Sequence, residues 1–161
     1  MTISIWLEPT KNDAKYLRKI IRDLAKKYGA PEFPPHLTLH SGLTCEKAMD
    51  CVRNCKATPH LARVLDIKHS DYLWKTVFIR IYKNNRLEGL NKTITECAGT
   101  TKYVFEPHIS LLYKRLDART KKKIIRDLKI KSRFTFDRIT INKTSRNVSE
   151  WKRLKMIRLC T

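Results

Sequence analysis

One pattern occurs twice along this chain. It runs helix-forming stretch, glycine, proline-bearing loop, a His-apolar-Ser/Thr-apolar segment, and a capping residue for another helix. In the first copy Leu17, Ile20, Ile21, Leu24 and Tyr28 recur at helical spacing over 11–28, and Gly29 stands where a helix would end. Pro31-Glu-Phe-Pro-Pro35 then leads into His36-Leu-Thr38-Leu, and Thr44 can cap a helix with Ala48, Cys51, Val52 and Cys55 inward. In the second copy Asn85 and Glu88 form a capping box for a helix with Leu87, Leu90, Ile94, Cys97 and Ala98 inward, and Gly99 stops it. Pro107 precedes His108-Ile-Ser110-Leu, and Asp117 can cap a basic helix. The histidines are 72 residues apart, and their distances from the preceding glycines are seven and nine. Repetition in matched order implies a duplication, hence two lobes related by approximate symmetry with equivalent positions face to face.

Strands are expected at 2–8, closed by Pro9, in the two histidine segments, around 61–69 and 74–82, and near 133–143 and 151–159. Interleaved with the helices, they predict an α+β class: a single bilobal domain over 1–161, antiparallel sheets lining a central cleft and helices outside. A chain of 161 residues with 42% hydrophobic content supports such a core.

On a strand, side chains at i and i+2 point the same way, so His36 shares a face with Thr38, and His108 with Ser110. Each lobe thus offers an imidazole beside a hydroxyl. If both faces line one cleft, a phosphate between them meets two proton-transfer groups and two donors. Phosphodiester cleavage near neutral pH asks for that set: a base for water, an acid for the leaving oxygen, and donors on the phosphoryl oxygens. Taken singly, either histidine reads as an ordinary strand residue; the matched pair is what argues for a site. No metal or other cofactor is called for. His40 shares a face with His36 by the same alternation, but the two would lie about 13 Å apart, too far for one zinc ion. His60 and His69 have no partner motif.

The formal charge is +20, from 35 basic and 15 acidic residues. Residues 1–80 hold 14 basic and 8 acidic groups, while 81–161 hold 21 and 7. Such an excess draws polyanions, so a phosphorylated small molecule or nucleic acid is the natural partner class, although a solvated basic surface would look the same. The cluster Arg119, Lys121, Lys122, Lys123 and Arg126 invites both readings. No basic leader with an apolar stretch and no membrane-length apolar run is present, so an intracellular, cytoplasmic protein is expected, nuclear in a eukaryote as the alternative. A monomer is expected, without membrane contact. Five cysteines without Cys-x-x-Cys spacing suit reduced thiols better than a disulfide framework or a zinc site.

With these residues in view, the sequence resembles the 2H phosphoesterase superfamily, whose mark is two His-x-Thr/Ser motifs, and within it the cyclic nucleotide phosphodiesterases of tRNA splicing. The resemblance runs almost end to end: Ile5-Trp6-Leu-Glu-Pro9, Phe33-Pro-Pro-His36-Leu-Thr38, Pro107-His108-Ile-Ser110-Leu-Leu-Tyr113 and the closing Glu150-Trp151. It implies metal-independent hydrolysis of a nucleoside 2′,3′-cyclic phosphate or ADP-ribose 1″,2″-cyclic phosphate. It also implies that His36 and His108 are the acid–base pair, that Thr38 and Ser110 hold the phosphoryl oxygens, and that Tyr113 contacts the phosphate. Trp6 and Trp74 match aromatic positions near the nucleoside, where they would stack on it or serve as core. The charge exceeds what a small cyclic nucleotide asks for, which leaves two further readings: an enzyme acting on RNA ends, and a non-catalytic RNA-binding module.

Overall fold

The computed structural model describes residues 1–53, 55–99 and 102–160. Strand β1 (Thr2–Pro9) ends where the proline predicted it. Thr10 accepts the Asp13 N–H at the start of helix α1 (Lys11–Tyr28), and Gly29 closes that helix in the left-handed conformation, φ 61°. Leu17, Ile21 and Leu24 form its buried face. Strand β2 (Leu37–Leu43) carries the first motif, and Thr44 accepts the Lys47 N–H at the head of α2 (Cys45–Arg53).

Strand β3 (His60–His69) is followed by a single 3₁₀ turn (Leu73–Lys75), which delays β4 to Val77–Ile81 rather than 74. The cap of α3 (Asn85–Ala98) is Asn84, whose side chain accepts the Leu87 N–H at 2.9 Å, so the expected box between Asn85 and Glu88 does not form. Glu88 pairs with Lys83 instead. Strand β5 (His108–Leu112) carries the second motif, and Asp117 caps α4 (Ala118–Asp127) as expected. Strand β6 (Arg133–Thr144) and β7 (Lys152–Arg158) flank a second 3₁₀ turn (Val148–Glu150).

The seven strands are antiparallel in the order β1-β2-β5-β4-β3-β6-β7, and β1 also pairs with β6. Six strands therefore close on themselves, and β7 lies outside them along β6. The two halves meet where β2 and β5 touch at one register pair, Leu37 with Ile109. The helices exchange sides: α1 packs on β5, while its counterpart α3 packs on β2. Each copy of the repeat thus supplies the helix behind the other copy's histidine strand, and neither half would bury its apolar face alone.

Two local features depart from simple expectation. On β2 a bulge sets Trp6 opposite Thr38 but Ile5 opposite His40, so Leu39 is the extra residue. The bulge turns His40 into the core, against Tyr103, and off the face that His36 occupies. Cys51 on α2 and Cys97 on α3, with Cα atoms 5.3 Å apart, form a disulfide, which corrects the reading of reduced thiols for these two, while Cys45, Cys55 and Cys160 are free. Among the described residues no helix is long and apolar enough to cross a membrane.

Candidate active site

Each motif histidine follows a proline, and the geometry explains why. Pro35 and Pro107 hold the turn so that the carbonyl two residues before each histidine points back at its ring. His36 Nδ1 lies 2.7 Å from the Pro34 oxygen, and His108 Nδ1 lies 2.6 Å from the Glu106 oxygen. A carbonyl only accepts, so both Nδ1 atoms carry the proton and both Nε2 lone pairs are left for chemistry. The matched tether is the repeat expressed at atomic scale.

Both rings line one cleft of about 550 Å³, together with Thr38, Ser110, Tyr113, Trp6 and Trp74. All seven residues singled out from the sequence therefore converge. They do not do so equally. Trp6 is only 3% exposed, and the His36 ring stacks on it with centroids 3.7 Å apart. Burial beneath that indole pushes the His36 pKa down to about 4, and the nearby His108 adds to the effect. His108 is also lowered by burial and by the Lys75 charge, but the Glu106 carboxylate works against them; among the described residues no carboxylate does so for His36.

Ser110 donates its hydroxyl to the Trp74 carbonyl at 2.8 Å, tying β5 to the turn that carries Trp74. Tyr113 is buried, stacked on Phe33 at 3.8 Å and edge-on to Trp74; burial raises its phenol pKa while the neighbouring Ser110 lowers it. Thr38 sits opposite Trp6, and its carbonyl accepts the Tyr103 hydroxyl at 3.1 Å.

Sequence reasoning passed over three neighbours. Trp151 lies within about 6 Å of four rings, with centroids 5.6 Å from Trp6, 6.1 Å from His36, 6.0 Å from Trp74 and 6.0 Å from Tyr113. Its indole N–H donates to the Ser145 carbonyl. Lys75 also lines the cleft, and its ammonium meets the Glu106 carboxylate at 2.6 Å. Arg146 lines the cleft as well, as does Thr144. Trp151 was visible as the head of the last strand; no local signal marked the other two.

The basic cluster of α4 does not line this cleft. Lys121 is buried, donating to the Ser70 carbonyl and the Asp71 carboxylate, so it anchors the loop ahead of Trp74 rather than guiding a ligand. His40, His60 and His69 lie outside the cleft as well. Among the described residues no three His, Cys, Asp or Glu side chains converge as metal ligands.

Over residues 1–159 the chain matches the family described as cyclic phosphodiesterase-like protein. No curated protein matches it. Among solved structures it is similar to E. coli LigT complexed with 3′-AMP, at 14% identity and TM-score 0.63, covering 99% of this chain and 98% of that one. It is also similar to a structure described as a phosphoesterase, at 17% identity and TM-score 0.66, with 99% of each chain covered. A third is TT0787 of Thermus thermophilus, at 13% identity and TM-score 0.64, covering 99% and 98%. At such identities the likeness to these structures is one of fold.

Proposed function

This chain belongs to the family of cyclic phosphodiesterase-like proteins, within the 2H phosphoesterase superfamily, and we propose that it opens a cyclic phosphodiester by two-histidine acid–base catalysis. The substrate on this reading is a nucleoside 2′,3′-cyclic phosphate or ADP-ribose 1″,2″-cyclic phosphate. The observation that carries it is the pair of identically tethered imidazoles, each presenting Nε2 to the same cleft beside a hydroxyl-bearing residue.

His36 is the base in this scheme, because a ring held near a pKa of about 4 is neutral and ready to accept at pH 7. His108 is the acid, since the Glu106 carboxylate favours its protonated form. Water attacks phosphorus as His36 Nε2 takes its proton; the ring P–O bond breaks, and His108 Nε2 delivers a proton to the leaving oxygen. The product is a 2′-phosphate or a 1″-phosphate. Thr38, Ser110 and Tyr113 donate to the phosphoryl oxygens, which requires the Ser110 hydroxyl to turn from the Trp74 carbonyl. Trp74 and Trp151 offer ring faces to the nucleoside, whereas Trp6 serves mainly as the backing of His36.

The test is incubation with chelator and a panel of cyclic phosphates, followed by phosphorus NMR of the product. His36→Ala and His108→Ala should each cost roughly two to four powers of ten in turnover while the circular dichroism spectrum is kept. Activity above a tenth of the original in either variant would sink the scheme.

A further inference from the structure

Both motif strands slip register one residue past the hydroxyl. On β2 the extra residue is Leu39. On β5 it is Leu111, since Phe78 faces Ser110 while Val77 faces Leu112. Both leucines are fully buried, so the bulge is part of the repeat. What stands behind it differs between the copies. Eight residues before its closing glycine, α1 carries Ile21, a buried residue of the helix behind β5. At the same place α3 carries Asn91, on the helix behind β2.

Asn91 shares a face of α3 with Leu87 and Ile94, both fully buried. An amide in such a place is costly unless it is bonded. Its Nδ2 donates to the Leu39 carbonyl, on the bulge itself, at 2.8 Å. Only the NH2 group of the amide can face a carbonyl, so this bond also fixes how the side chain is turned. The neighbouring Thr38 carbonyl accepts the Tyr103 hydroxyl at 3.1 Å. The two donors meet β2 just past Leu37, where among the described residues its pairing with β5 ends. Side chains thus hold the strand at the point where its neighbour leaves it to open the cleft.

Thr38 lines the cleft and Asn91 does not, so any effect of Asn91 on the chemistry runs through the strand. We propose that Asn91 is a positioning residue: by holding the Leu39 carbonyl it fixes the bulge that aims the Thr38 hydroxyl at a phosphoryl oxygen. The inference rests on the cyclic phosphodiesterase reading, which puts Thr38 on that oxygen. It makes the two half-sites unequal. Thr38 stands on a backbone held from behind, whereas Ser110 gives its hydroxyl to the Trp74 carbonyl and has to turn before it can meet the substrate.

The test is a double-variant cycle read in kcat and KM on a nucleoside 2′,3′-cyclic phosphate. Asn91→Leu keeps the inner face of α3 apolar and removes the donor. It should lower kcat by roughly tenfold and change KM by less than about threefold, the pattern of a contact that matters in the transition state. Thr38→Val should lower kcat by roughly a hundredfold. Once Thr38→Val is in place, adding Asn91→Leu should cost less than about twofold, because the hydroxyl it would misplace is gone. Added to Ser110→Ala instead, it should cost its full factor. Asn91→Gln carries the same amide on a longer stem and should regain much of the loss. Should Asn91→Leu fail to fold by circular dichroism, Asn91→Ser carries the cycle in its place. A second arm needs no turnover: affinity for a nucleoside–vanadate complex, five-coordinate like the attacked phosphorus, should show the same dependence on Thr38.

An unchanged kcat in the Asn91 variant would overturn the proposal. So would a change confined to KM, or a loss that is just as large after Thr38→Val, which is what a purely structural role gives. If the parent protein hydrolyses no cyclic phosphate while the vanadate cycle still couples Asn91 to Thr38, the positioning role stands and the hydrolytic reading fails. A parent that neither hydrolyses the one nor binds the other overturns both.

Discussion

The imidazole of His36 lies flat against the indole of Trp6, with centroids 3.7 Å apart and planes inclined by 15°. Trp6 is fixed there from both sides, since β1 pairs it with Thr38 on β2 and with Thr140 on β6. One face of the ring is thus closed to water, and burial is the leading cause of its low pKa.

The acid limb of kcat/KM should therefore fall near pH 4, where His36 becomes protonated and can no longer accept. Trp6→Leu uncovers the ring and should move that limb upward, toward the ordinary histidine value of about 6.5. A pH–rate profile of the two proteins decides it. A limb that stays in place would mean that the indole is not what depresses His36.

The same shift bears on stability. In the folded chain the His36 pKa lies below its unfolded value, so the unfolded state binds the proton more readily. The contribution is complete above about pH 6.5 and is lost as pH falls toward 4, amounting to about 3 kcal/mol at most for this one ring. Buried His40 and His60 and half-buried His108 shift in the same direction and steepen the loss. Urea denaturation between pH 7 and pH 4 should show His36→Gln losing less stability on acidification than the parent protein. Parallel profiles would remove His36 from the account.

What could be read from the sequence was local. Gly29, Thr44 and Asp117 each end or begin a helix because the atoms involved lie within four residues of one another. Asn84 and Asn85 offer the same chemistry one position apart, and the choice between them depends on how β4 delivers the chain. Both motif histidines were legible because their tethers reach only two residues back. The inward turn of His40 was not, since the bulge at Leu39 exists only in register with β1. Trp151 among the cleft aromatics and α1 behind β5 also depend on partners far along the chain. The charge was plain in the composition, but where it lay relative to the cleft depended on the fold: Lys121 of α4 turned out to be a buried anchor, and the helix lies away from the cleft.

The Cys51–Cys97 disulfide joins α2 to α3 across 46 residues, and both helices flank the first lobe. In the chain-entropy view a loop of that length restrains the unfolded state by about 4 kcal/mol. Reductant should lower the Tm of the parent protein and leave that of Cys51→Ala, Cys97→Ala unchanged. Equal loss in both would mean that the bond contributes nothing.

Glu106 is linked to His108 twice: its backbone carbonyl accepts the Nδ1 proton, and its carboxylate favours the charged ring. The same carboxylate neutralises Lys75, which otherwise disfavours that charge. Glu106→Gln keeps the carbonyl, hence the orientation of the ring, but removes the anion and leaves Lys75 uncompensated. The His108 pKa should then fall further. If His108 is the acid, it must be protonated to act, so the alkaline limb of kcat/KM should move to lower pH while activity at the acidic end is retained. Lys75→Gln should move the same limb the other way. Were His108 the base instead, Glu106→Gln would raise activity at low pH and leave the alkaline end unchanged. The end of the profile at which the absolute rate changes therefore decides which histidine gives the proton and which takes it.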